Sequence, residues 1–184
     1  MKKVSFTEMK YGTKEDYLHL DKLEKEYASK TGERIIKYLH SYQETLEGYQ
    51  VSRLEHSLQA ATRAMRDNAD DELIVATLLH DIGDDLAPYN HAEYAAAILR
   101  PYVSEKTHWI LLKHGEFQMY YYAHYLGADR NKRGQYKDHK FFKDCVKFCE
   151  QWDQNSFDPE YKSLKIKDFE PLIRKIFSRK PFIS

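Results

Sequence analysis

The chain has 184 residues and carries 29 basic and 29 acidic side chains. That length favours one domain with a sizeable core. The charge balance leaves no basic stripe for nucleic acid and no acidic tail, and no run of about 18 apolar residues exists to span a membrane.

The opening segment, MKKVSFTEMKYG, has no apolar run behind its lysines, so no signal peptide is expected. Helical periodicity dominates the rest of the chain, and no convincing period-2 run is bounded by hairpin turns. TKEDYLHLDKLEKEYASKTG reads as a helix entered at Thr13 and stopped by Gly32. ERIIKYLHSYQETLEG reads as a second, with Ile35, Ile36, Leu39, Tyr42 and Leu46 facing inward. A third starts at a capping box, Ser52 to Glu55, and carries HSLQAATRAMRD. The fourth begins near Asp70 and is apolar on nearly every face, yet it carries His80 and Asp81 before Gly83. Asn90 to Glu93 resembles another capping box, opening AEYAAAILR, which stops before Pro101. Ser104 caps EKTHWILLKHG, followed by an aromatic, polar segment. HKFFKDCVKFCEQWDQ and DFEPLIRKIF are the last two helices. Cys145 and Cys149, four residues apart, suit small buried side chains in a reducing cytoplasm better than a disulfide. The expected fold class is all-α, with roughly eight helices.

The chemistry rests on the histidines, of which there are nine. A carboxylate in a core is costly unless it is paired or metal-bound. His80 and Asp81 therefore read either as a satisfied core pair or as metal ligands. Neighbours on a helix point about 100° apart, so they share an ion only where the backbone loosens, and Gly83 supplies such an end. His56 lies on the face of Gln59 and Ala60. His91 stands in the first turn of its helix, His114 ends an apolar stretch before Gly115, and Asp153 follows Trp152. Four imidazoles and two carboxylates are too many for one ion and suit two metals sharing a carboxylate. Nitrogen and oxygen donors without thiolate favour iron, manganese or zinc over a structural zinc site. His19, His40 and His139 read as surface residues, and His108 and His124 flank the His114 segment.

The order His56, then His80-Asp81, then Asp153 resembles the HD-domain superfamily, whose members bind metal through H…HD…D. With His91 and His114 added, the chain is similar to its dinuclear members. The nearest resemblance is to the mixed-valence di-iron oxygenases that cleave carbon–phosphorus bonds, of the PhnZ and TmpB type. GYQVSRLEHSLQAATRA, LLHDIGDDLAPYNHAEYAAAILRPYVSEKT, KHGEFQMYYYAHYLG and CEQWDQNSFDP carry it, over about residues 45–182.

That resemblance implies a single HD domain over residues 1–184: amino-terminal helices over 1–47, a metal-binding core over 48–160 and a carboxy-terminal helix over 161–184. It implies two irons, Fe(II)/Fe(III), with O2 as co-substrate. His56, His80 and Asp153 would hold the first, His91 and His114 the second, and Asp81 would bridge them. Asp84 is either a surface acid at a helix end or an acceptor that orients a ligand. The implied reaction oxidises the hydroxylated carbon of an α-hydroxyphosphonate and breaks its C–P bond, leaving a carboxylate and phosphate. Relatives that take a primary amine carry a tyrosine and a glutamate where this chain has Leu46 and Tyr49. That difference favours a trimethylammonium group in an aromatic cage. Tyr49, Phe117, Tyr120, Tyr121, Tyr122 and Phe157 are its candidates, with Gln59 beside the first ligand. Arg130, Lys132 and Arg133 are candidate phosphonate contacts, and Lys113 adjoins His114. A phosphohydrolase using the same two metals is the alternative. A ligand-binding regulator fits poorly, because all six ligand positions are filled. No nucleic-acid or membrane partner is expected, and nothing in the sequence indicates an oligomeric state.

Overall fold

In the computed structural model, which describes residues 3–42 and 48–182, eight α-helices follow one another and no strand occurs among the described residues. They are α1 (Lys14–Ser29), α2 (Thr31–Ser41), α3 (Arg53–Arg66), α4 (Asp71–Leu79), α5 (His91–Leu99), α6 (Glu105–Tyr122), α7 (Phe142–Lys147) and α8 (Ile166–Phe177). α7 continues directly into a π-helical turn, Phe148–Asp153. No helix among the described residues is long and apolar enough to cross a membrane.

α4 is the axis of the bundle. Its sequence, DELIVATLL, is apolar on every side, and Ile74 through Leu79 are buried. A helix apolar all round has to be surrounded, and α4 touches α3, α6 and α8. The chain leaves it at Leu79 and passes through a series of turns from residue 80, so the end expected at Gly83 comes earlier. His80 and Asp81 are thereby released from helical register inside the core.

Caps set the other boundaries. Asp70 accepts the Leu73 amide at 2.8 Å, and Ser104 accepts that of Thr107 at 3.3 Å. Ser52 accepts the Glu55 amide at 3.0 Å, but the Glu55 carboxylate takes the Ser163 hydroxyl at 2.6 Å instead of completing the expected box. Asn90 makes no side-chain cap. Each working cap stabilises its helix by about 1 kcal/mol.

Two glycines do not stop helices where the sequence suggests. Gly32 lies inside α2, buried, and a Cβ there would meet Phe177 Cβ at 3.2 Å. It is small so that α8 can cross closely, and α1 instead ends at Ser29, with Lys30 as the joint. Gly115 lies inside α6, which runs on to Tyr122. The aromatic segment therefore continues the helix that carries His114. Leu46 lies outside the described residues. Cys145 and Cys149 are free, buried thiols, as their spacing suggests.

Glu72, in the first turn of α4, ties three segments together. Its carboxylate accepts the Ser104 amide at 2.7 Å and Arg179 Nη1 at 2.5 Å, and Arg179 also donates to Tyr102 O at 2.9 Å. Burial pushes the Glu72 carboxyl up, but hydrogen bonds from Ser104, Thr107 and Arg179 outweigh it and hold the group at about 2 against an ordinary 4.5. A depressed carboxyl stabilises the fold above its unfolded value and loses that contribution as pH falls through its folded one. Glu72→Gln should cost about 1–2 kcal/mol near neutral pH, a figure discounted for partial exposure. Urea unfolding at about pH 7 and about pH 3.5 checks this. The gap between wild type and variant should shrink in acid, and a constant gap would refute the linkage.

Candidate metal centre

Five segments deliver six donor side chains to one place. His56 lies one turn into α3, His80 caps the end of α4, and Asp81 follows in the turn. His91 opens α5, His114 lies midway along α6, and Asp153 ends the π-helical turn. His56, His80, Asp81, His114 and Asp153 are buried, and only the His91 side chain is partly open, at 24%.

Hydrogen bonds on the far side of each ring decide what the near side can do. Nδ1 of His56 donates to Ser156 O at 3.0 Å, that of His80 to Thr77 O at 2.8 Å, and that of His114 to Leu111 O at 2.6 Å. A carbonyl only accepts, so each Nδ1 carries a proton, and Nε2, pointing inward, is the atom left to take up a second proton or a metal ion. Nδ1 of His91 faces Asp84 Oδ1 at 3.2 Å, the carboxylate–histidine arrangement that orients metal ligands. The four Nε2 atoms converge on Asp81. His56 and His80 lie 3.4 and 3.3 Å from its Oδ2, and His91 and His114 lie 3.5 and 3.3 Å from its Oδ1.

This geometry fits metal. His56 Nε2 and His80 Nε2 are 3.1 Å apart. Two lone pairs at that distance repel unless a cation lies between them. Donors about 2.1 Å from one ion, with right-angled to tetrahedral spacing, stand about 3.0–3.4 Å apart. Asp153 Oδ1 is 3.3 Å from His56 Nε2 and 3.5 Å from His80 Nε2, is buried, and has no hydrogen-bond partner. His91 Nε2 is also buried without a partner. His56, His80 and Asp81 form one group able to hold an ion, and Asp81, His91 and His114 form another.

The electrostatics point the same way. Burial pushes the His56 imidazolium down, but the facing carboxylates of Asp153 and Asp81 prevail and lift it to about 10. Burial opposes ionisation of Asp81 and Asp153 as well. The facing imidazoles, His80 foremost at Asp81 and His56 at Asp153, hold both carboxyls below their usual range. Asp84 is raised, by burial and then by the charge of Asp81. The cluster attracts positive charge, which protons or metal ions can supply.

A cavity of about 350 Å³ opens onto the second group. Asp81, Asp84 and His91 line it together with Tyr49, Tyr121, Tyr122, Phe157, Arg53, Gln118 and Gln154. Phe157 stacks on His56 at 4.4 Å and on Tyr49 at 5.1 Å between ring centroids.

Other candidates lie elsewhere. Gln59 is buried, with its amide committed to the Asp158 backbone: it donates to Asp158 O at 2.7 Å and accepts from Asp158 N at 3.3 Å. Phe117 packs in the core against Trp109 and Phe142. Tyr120 lies beneath Arg130 and Arg133, whose guanidinium carbons are 4.4 and 3.7 Å from its centroid. Neither arginine lines the cavity, though Arg133 also stands by Tyr121 and each keeps a buried nitrogen without a hydrogen-bond partner, and Lys132 is exposed. Lys113 pairs with Glu116 at 2.9 Å. His40 and His124 are exposed, His40 lying 3.3 Å from Glu170, while His139 stacks on Trp109 at 4.1 Å instead of standing free. His19 and His108 are half-buried outside the cluster.

Sequence reasoning missed Arg53 and Gln118. Both stand on the same face as a ligand, Arg53 one turn before His56 and Gln118 one turn after His114. Gln118 Nε2 donates to Asp153 Oδ2 at 2.5 Å.

The fold and this cluster define a helical protein whose histidines and aspartates are able to hold metal. A family model described as the HD domain matches residues 53–160, and the chain belongs to the HD domain family. Proteins of this family are typically metal-dependent enzymes, phosphohydrolases among them. No curated protein matches the chain.

Gly83 matters here as a spacer. A Cβ at this position would lie 2.8 Å from both Cα and O of His91 and 2.9 Å from Tyr94 Cβ. Two of those contacts are backbone, so α5 itself would have to move. Gly83→Ala should displace His91 from Asp81 and destabilise the protein by about 1–3 kcal/mol. Cobalt titration should show the weaker-binding equivalent lost while the tighter one remains. Unchanged binding of both would mean that the spacing is not needed.

Proposed function

We propose that this protein is a di-iron oxygenase that cleaves the C–P bond of (R)-1-hydroxy-2-(trimethylamino)ethylphosphonate or a less methylated analogue. It uses O2 and releases glycine betaine, or the corresponding amino acid, with phosphate. His56, His80 and Asp153 would hold one ion, His91 and His114 the other, and Asp81 both. The observation that carries the reading is the aromatic lining of Tyr121, Tyr122 and Phe157 in a cavity that is also lined by Asp81 and His91 of the shared-carboxylate cluster. A quaternary ammonium has no N–H to donate, so ring faces hold it better than a carboxylate, at about 0.5–2 kcal/mol per ring.

The overall reaction balances without an external reductant. The hydroxylated carbon rises to the carboxylate level by giving up its C–H and C–P electrons, four in all, and O2 takes all four. Both oxygen atoms remain in the products, one proton is released, and phosphorus leaves as phosphate. The metal pair, when bound, supplies the redox chemistry. The chain's own residues supply position. Asp84 fixes the His91 ring, Gln118 fixes Asp153, and Tyr49 and Tyr122 line the cavity.

Phosphate-ester hydrolysis is the second reading, favoured by the family's usual chemistry. Anaerobically purified, iron-loaded protein separates the two. Mössbauer and EPR spectra should show a coupled Fe(II)/Fe(III) pair perturbed by the hydroxyphosphonate, with one O2 consumed per phosphate. Phosphate release from a phosphomonoester without O2 would overturn the oxygenase reading. In the same preparation Asp81→Ala should lose both ions, because one carboxylate serves each, and retention of either would overturn the bridging role.

A further inference from the structure

Arg53 is the first residue of α3, and a cation there opposes the helix dipole. Its guanidinium is held by other contacts. Nε lies 3.1 Å from Asp84 Oδ2 and Nη1 3.7 Å from Asp81 Oδ2, and Cζ stands 4.9 Å from the centre of the Tyr49 ring. None of these is a hydrogen bond. Asp84 Oδ2 is buried without a hydrogen-bond partner, and the Arg53 side chain is 19% exposed on the cavity wall. Its N–H groups are thus placed near the cluster by charge and by a ring face, and they make no hydrogen bond among the described residues.

We propose that Arg53 determines specificity by binding the phosphorus oxyanion of the substrate, with Tyr49 as the platform that holds the guanidinium flat. A planar fork of donors matches two oxygens of a tetrahedral oxyanion, which a single ammonium does not. Among the described residues Arg53 is the cation that lines this cavity, a role that Arg130, Lys132 and Arg133 do not take. Its charge also gives the cavity polarity. A trimethylammonium group is repelled from the Arg53 side toward Tyr121 and Tyr122, so the two ends of a zwitterionic substrate are told apart. This inference rests on the reading of a metal site that takes a small phosphorus oxyanion, and not on whether that site oxidises or hydrolyses.

Binding to protein loaded with redox-inert zinc tests it without turnover. Titration calorimetry with hydroxymethylphosphonate, a dianion, and glycolate, a monoanion, compares wild type, Arg53→Gln and Arg53→Lys at verified metal content. Arg53→Gln should weaken the phosphonate by roughly 10- to 100-fold and glycolate by less than about 3-fold. Arg53→Lys should restore only part of the loss, because charge returns without the fork. If the wild type binds the phosphonate and Arg53→Gln binds it equally well, the role of Arg53 is overturned while the substrate class stands. If both ligands weaken equally, Arg53 serves the metal site and not the oxyanion. If wild type fails to bind the phosphonate, the substrate class falls and this inference falls with it.

Discussion

Everything in the centre depends on where four imidazole protons sit. For His80 and His114 the acceptor is the carbonyl three residues back on the same helix, Thr77 and Leu111. The helix itself thus sets the tautomer and turns each Nε2 inward, with no help from distant segments. His56 differs, since its anchor is Ser156, one hundred residues away. Its orientation exists only once the loop after Asp153 has docked on α3. Gln59 and Arg63 hold that loop, through Asp158 and Asn155. The centre is therefore coupled to tertiary folding at one corner and is locally encoded at two others.

Such a cluster needs rigid surroundings, because each buried carboxylate would otherwise draw in water. Phe148 meets His80, at 5.6 Å, and His114, at 6.1 Å between ring centroids, in T-shaped pairs, an arrangement aromatic rings favour. Tyr42 donates to Asp81 O at 3.4 Å, and Cys149 Sγ lies 3.6 Å from His114 O. The π-helical turn belongs to the same set. Gln154 N reaches back five residues to Cys149 O at 3.0 Å. The wider turn advances Asp153 to face His56 and His80, and π turns recur at functional sites for this reason.

The helices were legible because their faces follow simple periodicity, and α4 was legible because it has no polar face. The six donors were legible because each is a polar residue on an otherwise apolar element, which demands a partner. The glycines misled. Gly32 and Gly115 look like helix stops, yet each sits within a helix, Gly32 where another crosses closely, a tertiary fact that no local pattern carries. Missing the continuity of α6 hid Gln118, four residues beyond His114 on the same face. The basic loop misled for a similar reason. Arg130 and Arg133 are cations beside aromatic residues in sequence, but the ring face they lie over is that of Tyr120, outside the cavity. Charge along the chain does not say which ring a guanidinium will find.

The two halves of the cluster differ in access, and that difference assigns them different work. The cavity is lined by Asp81, Asp84 and His91 but not by His56, His80 or Asp153. Gln118 and Phe157, both on the cavity wall, separate the deeper group from it, one by bonding Asp153 and the other by stacking on His56. An ion in the deep group would be closed in by protein. An ion held by His91 and His114 would have the cavity in front of it, with two histidines and one shared carboxylate leaving positions open. Asp84 reinforces the asymmetry, since it fixes the single partly exposed imidazole of the six donors and sits between that ring and Arg53. Ligand exchange would therefore fall to an ion in the outer half. Among the described residues Asp81 is the only donor with one oxygen toward each group, so it would be the route by which a change at one ion is felt at the other.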